Sequence, residues 1–142
     1  MNEFNLMLGD CLERMKEIES GTVDMILCDL PYGTTCCSWD AVIPFEKLWP
    51  EYERVIKKNG AIVLFGAQPF TAVLACSNLK LFRYEWIWEK PNATGFLNAK
   101  KQPLRAHENI LVFYKSQPTY NPQKTYGHER KTAKKKVTGS EH

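Results

Sequence analysis

The stretch "VDMILCDLPYG", Val23 to Gly33, decides how this chain is built. Its first six residues form a near-continuous apolar run of strand length, the pattern of a strand covered on both faces in a parallel sheet. An acid, a proline and an aromatic then follow. In open α/β sheets ligands bind beyond the carboxyl ends of the strands, where loops and helix starts diverge, so Asp29 stands at a candidate site. Pro31 fixes its own φ and biases Leu30 toward extended backbone. A segment this stiff aims the Asp29 carboxylate and the Leu30 carbonyl in fixed directions beside the flat ring of Tyr32. Two acceptors beside an aromatic face suit a planar group with an amino substituent: the acceptors take its hydrogens and the ring stacks on its face. The bland alternatives are a turn-forming Asp29 and a core-packed Tyr32.

Working outward, Asn5 to Leu8 reads as a short strand, and Gly9-Asp10 leads into a helix with Leu12, Met15 and Ile18 on one face. Downstream, Phe45 to Ile56 returns to helical period, and Asn59-Gly60 supplies a left-handed cap for that helix. Ala61 to Phe65 is a second core strand, and Pro69 to Ser77 a helix opened by proline. Phe82 to Lys90 and Glu108 to Lys115 are strands joined by a polar loop, Pro91 to Ala106. Trp86 and Trp88 share one strand face, where core packing is the expected role. Alternating strands and helices followed by two consecutive strands predict an α/β sheet, parallel at its centre with an antiparallel edge. From Ser116 the aliphatic pattern fails, which divides the chain into residues 1–115 and a basic flexible tail, or the start of a further segment, at 116–142.

Composition narrows the class. Forty-four per cent hydrophobic residues, with four Trp, six Tyr and seven Phe in 142 positions, fit a folded domain. No apolar run approaches the roughly 20 residues of a membrane span, and the first ten residues lack a signal-peptide layout, so a cytoplasmic protein is expected. Five cysteines without a Cys-x-x-Cys pair read as reduced thiols, and no metal site is expected. The formal charge of +3 hides an asymmetry. Residues 1–99 carry nine Lys/Arg against thirteen Asp/Glu, and residues 100–142 carry ten against three. A partner that selects positive charge is therefore expected at the last third, including Lys124, Arg130, Lys131 and Lys134 to Lys136.

Asp29-Leu30-Pro31-Tyr32 resembles the Asp/Asn/Ser-Pro-Pro-Tyr motif of amino-group DNA methyltransferases. The Leu in second place and Gly33 after the tyrosine resemble phage and prophage-type adenine methylases, with restriction-modification as the implied setting. "LMLGDCLERMKEIESGTVDMILCDLPYG", "YERVIKKNGAIVLFGAQPF" and "WIWEKPNATGFLNAKKQPLRAHENILVFYK" are similar to successive blocks of that family, in the permuted order that puts the catalytic motif first. The resemblance covers residues 5–115. It implies a Rossmann-like, S-adenosylmethionine-dependent methyltransferase sheet, mostly parallel, of which this chain holds an incomplete part: no Phe-x-Gly-x-Gly loop for the cofactor follows an apolar strand.

The implied reaction is methyl transfer to the exocyclic amine of adenine in DNA, with cytosine N4 as the runner-up. In another class, the chain is a non-catalytic DNA-binding or complementing fragment that associates with itself or with a partner chain. The implied catalytic group is Asp29, Leu30, Pro31 and Tyr32, with Tyr32 stacking on a flipped base. Asp10, Cys11 and Asp29 would lie at S-adenosylmethionine, although Asp10 equally suits an N-cap. Trp39, Gln68, Phe70, Lys90, Arg105 and His107 would meet the target base or the DNA, and Asp40 would join Trp39 in a lid.

Overall fold

The computed structural model describes residues 4–35, 37 and 40–128. Four strands form one sheet in the order β1-β2-β4-β3: β1 is Val23–Asp29, β2 Ile56–Gly66, β3 Phe82–Thr94 and β4 Arg105–Phe113. β1 and β2 are parallel, while β4 runs antiparallel to both β2 and β3. The α/β sheet with an antiparallel edge is therefore present, but it is mixed: its one parallel pairing, β1–β2, is at the outside, and the central pairing, β2–β4, is antiparallel where the sequence pattern predicts a parallel centre.

Three helices, α1 (Cys11–Met15), α2 (Phe45–Val55) and α3 (Phe70–Ser77), bring their apolar residues to the core. Leu48, Trp49 and Tyr52 of α2, with Phe70 and Leu74 of α3, join Ile62, Leu64, Leu111 and Phe113 of the central strands in one buried cluster. Strand side chains alternate between faces. The opposite face, bearing Met25, Leu27, Tyr84, Trp86 and Trp88, is lined along one side only by Gln117 to Tyr120. Met25 is 51% exposed, Leu27 60% and Trp86 45%. The expectation of a β1 strand buried on both faces is thus corrected, and so is core packing for Trp86 and Trp88. No described element forms a second helical layer there, so apolar side chains on this face remain accessible to solvent.

Three local expectations also change. Asn5 to Leu8 forms no strand, and Leu6 and Leu8 are exposed; an isolated segment gains nothing from extension without a neighbour to pair with. α1 stops at Met15, short of Ile18; the turns beyond it are i→i+3, and Arg54 holds them by donating to Met15 O at 2.6 Å and to Ile18 O at 2.8 Å. Asn59-Gly60 is no left-handed cap: α2 ends at Val55, Ile56 is extended, and "KKNG" already belongs to β2, beside a register shift against β1. Gly60 is needed for space, since an added Cβ would lie 2.7 Å from Ile56 Cγ1 and 2.9 Å from Asp24 O.

Candidate active site

β1, β2 and β3 all end at one edge of the sheet, and β4 begins there. Asp29 pairs in register with Phe65, Phe65 with Ile110, and Ile110 with Trp86. The loops beyond this row carry most of the chemistry in the molecule.

Asp29 is the last residue of β1, and the Tyr32 hydroxyl donates to its Oδ1 at 2.6 Å. Leu30 between them is buried at 5% exposure, which pins the backbone turn. The Tyr32 ring stacks on Phe70, centroids 4.9 Å apart and planes 27° from parallel. Burial pushes the Tyr32 phenol well above its usual range, helped by the bond to Asp29 and by the negative charges of Asp29 and Glu108. The phenol therefore acts as a hydrogen-bond donor and not as a base.

The loop after Tyr32 is organised by Asp40. Its carboxylate accepts from the backbone N–H groups of Gly33 at 2.9 Å, Thr34 at 2.9 Å and Thr35 at 2.7 Å. The Gly33 amide and the Thr35 hydroxyl lead in lowering its pKa to about 2, so Asp40 is ionised at neutral pH. Gly33 sits at φ 68°, and a Cβ there would meet Val42 Cγ2 at 2.9 Å. The result is a cleft of about 310 Å³ lined by Asp29, Leu30, Pro31, Tyr32, Thr34, Thr35 and Asp40. Asp40 is thus an internal clasp of the loop, 8% exposed, and no lid; Trp39 lies outside the described residues.

The other expected residues divide. Phe70 is 5% exposed and backs Tyr32, so it supports the stacking ring instead of meeting a base itself. Gln68 is exposed in the β2–α3 loop, and its carbonyl accepts from Arg105 Nη2 at 3.2 Å. Lys90 forms an ion pair with Glu108 and lies over the Trp88 ring, 5.3 Å from its centroid. Its charge is already compensated, which corrects its expected availability to phosphate. His107 is exposed opposite Glu89. Asp10 caps α1, its Oδ1 accepting from Leu12 N at 2.8 Å, and next to it burial pushes the Cys11 thiol up. Burial does the same to Cys28, so neither thiol is poised as a nucleophile. Among the described residues no cluster of three His, Cys, Asp or Glu side chains could hold a metal ion. Only Lys124 of the basic tail falls within the described region, and the residues from 129 onward fall outside it.

Sequence reasoning missed Glu108 and Asn109. Asn109 is buried and bridges two elements, donating to Glu85 Oε2 at 3.0 Å and accepting from Thr71 Oγ1 at 3.4 Å. A polar pair interrupting an otherwise apolar strand, "ENILVF", was the available signal.

Fold and site together define an α/β protein whose strand ends present an acid, a rigid proline turn and a stacking aromatic. A family model described as DNA methylase matches residues 23–141, and the chain belongs to that family. The type II methyltransferase M1.MboII of Moraxella bovis is 27% identical over 120 residues, which cover 75% of this chain and 44% of that protein. Among solved structures, the M1.HpyAVI complex with SAM superposes with a TM-score of 0.62 at 20% identity, over 86% of this chain and 62% of the other. The cytosine-N4-specific PvuII DNA methyltransferase gives 0.58 at 13% identity, over 78% and 49%. TTHA0409 of Thermus thermophilus, complexed with S-adenosyl-L-methionine, gives 0.53 at 19% identity, over 83% and 57%. These likenesses bear on the fold, and the chain spans about half the length of the relatives it matches.

Proposed function

We propose that this chain is the catalytic-motif half of an S-adenosylmethionine-dependent methyltransferase acting on the exocyclic amine of adenine in DNA. The observation that carries the reading is the Asp29–Tyr32 pair at the carboxyl end of β1, inside a cleft whose loop is clasped by Asp40. In this reading the Asp29 carboxylate and the Leu30 carbonyl accept from the two hydrogens of the target amine. That geometry leaves the nitrogen lone pair free for attack. Pro31 holds the two acceptors at a fixed spacing, and Tyr32, backed by Phe70, stacks on a base extruded from the duplex. S-adenosylmethionine, when bound, supplies an electrophilic methyl group. The donor set fits it in part: Asp10 and Cys11 lie at the α1 start and Asp29 at the strand end, while the sequence holds no Phe-x-Gly-x-Gly loop for the methionine portion. In this reading the exposed Gln68, Arg105 and His107, outside the cleft lining, would meet the DNA.

Residues 1–115 are the catalytic half, and 116–142 a basic extension that begins the recognition segment. Asp in place of Ser at position 29 leans toward adenine within the resemblance; cytosine N4 presents the same amine geometry and is the alternative target. A second reading, a DNA-binding fragment that becomes active only with the rest of a methyltransferase domain or with another copy of itself, is favoured by the uncovered sheet face.

Calorimetric titration with S-adenosylmethionine, followed by labelled methyl transfer to unmethylated DNA, tests these readings. Transfer by the wild type and its loss in a folded Asp29→Ala variant supports the first. DNA binding without cofactor binding or transfer replaces it with the second. Nuclease digestion of the labelled DNA separates N6-methyladenine from N4-methylcytosine.

A further inference from the structure

The β3–β4 loop leaves the sheet at the same edge as Asp29, because β3 runs in the direction of β1 and β2 and continues past their last rows to Thr94, which pairs with Arg105. It is built as a fixed projection. Thr94 pairs with Arg105 at its base, and Thr94 Oγ1 donates to Arg105 O at 3.3 Å. Gly95 takes a left-handed φ of 94° and opens a short 3₁₀ turn over Phe96–Asn98. Asn98 N donates to Gly95 O at 2.9 Å, Ala99 N to Phe96 O at 3.0 Å and Lys101 N to Asn98 O at 2.8 Å. This turn holds two large apolar side chains in solvent: Phe96 is 81% exposed and Leu97 96%.

Two such residues on one ordered tip are costly in water unless a partner covers them. The charge around them identifies the partner. From Pro91 to His107 the chain carries Lys100, Lys101 and Arg105 and no acidic residue. Arg105 also reaches Gln68 O, which ties the returning limb of the loop to the β2–α3 loop beside Tyr32. Cations flanking an apolar tip match a duplex, in which phosphates lie on either side of stacked bases.

We infer that Phe96 and Leu97 form a wedge that enters the base stack of DNA next to the extruded nucleotide, with Lys100, Lys101 and Arg105 seated on the flanking phosphates. The inference rests on the methyltransferase reading for the extruded base, and it assigns the loop a task that reading does not require. Filling the gap left by a departed base offsets part of the cost of unstacking.

Fluorescence anisotropy of the full chain with matched duplexes, one intact and one with a single abasic site, tests the wedge. A duplex already interrupted spares the unstacking cost, so the wild type is expected to bind it about 10-fold more tightly. Phe96→Ala with Leu97→Ala, both exposed and so tolerated by the fold, is expected to abolish that preference while keeping affinity for the intact duplex. Lys100→Ala with Lys101→Ala is expected to weaken both complexes equally and to flatten their salt dependence. DNA binding without the abasic preference, or a preference that survives loss of Phe96 and Leu97, overturns the wedge and leaves the methyltransferase reading intact. Absence of DNA binding overturns both. Binding to phosphatidylserine vesicles that depends on Phe96 and Leu97, with no abasic preference, overturns the wedge in favour of a membrane contact.

Discussion

At the scale of single residues, Tyr32 combines two functions that substitution can separate. Its ring lies on Phe70 and its hydroxyl occupies one oxygen of Asp29. Tyr32→Phe keeps the ring and frees the carboxylate, so binding of a nucleobase analogue should be retained. Tyr32→Ala removes the stacking face and should weaken that binding by about 1–3 kcal/mol, measured by calorimetry. Asp40 makes a pH prediction. Its pKa is depressed from the ordinary carboxylate value of 3.8 to about 2 by amide and hydroxyl donors, so its contribution to loop order is present above the ordinary value and is lost as pH falls through about 2. The amide resonances of Gly33, Thr34 and Thr35 should therefore shift together over that window. Asp40→Asn should remove the titration and leave the sheet intact.

At the scale of elements, the β1–β2 pairing depends on a close approach at Gly60. An alanine there would press on Ile56 and on the Asp24 carbonyl, and backbone cannot yield as a flexible side chain does. Gly60→Ala should therefore cost about 1–3 kcal/mol in chemical denaturation. Leu64, fully buried in the middle of β2, should cost about 2–5 kcal/mol on truncation to Ala. The element types were largely legible in the sequence, because each strand and each helix carries its own periodicity. The ends were less so. "KKNG" has the composition of a helix stop, yet β2 recruits it, because pairing with β1 satisfies backbone groups that a cap would leave to water. Asn5 to Leu8 has strand-like residues and no strand beside it.

At the scale of the whole molecule, one sheet face is packed by helices and the other is largely open. Met25, Leu27, Trp86 and Trp88 form an apolar surface at the edge strands β1 and β3. Such a surface drives association. Sedimentation velocity should therefore report concentration-dependent self-association at low micromolar protein, and Leu27→Lys together with Trp86→Lys should shift the distribution toward monomer. No helix among the described residues is long and apolar enough to cross a membrane.

The site was legible to an uneven degree. Asp29, Leu30, Pro31 and Tyr32 are neighbours in the chain, and the stiffness of a proline turn after a strand is a local property, so their grouping followed from the residues themselves. The backing of Tyr32 by Phe70, the clasp of Asp40 on three amides, the pairing of Lys90 with Glu108 and the Asn109 bridge are different. In most of these the partners stand far apart in sequence, and strand order alone brings them together. Local stereochemistry and periodicity thus determined the elements and the acid–aromatic turn. Which charges are spent on one another, which aromatic backs which, and which sheet face is left open were decided by the tertiary structure, because those outcomes depend on register and layer packing that no local pattern encodes.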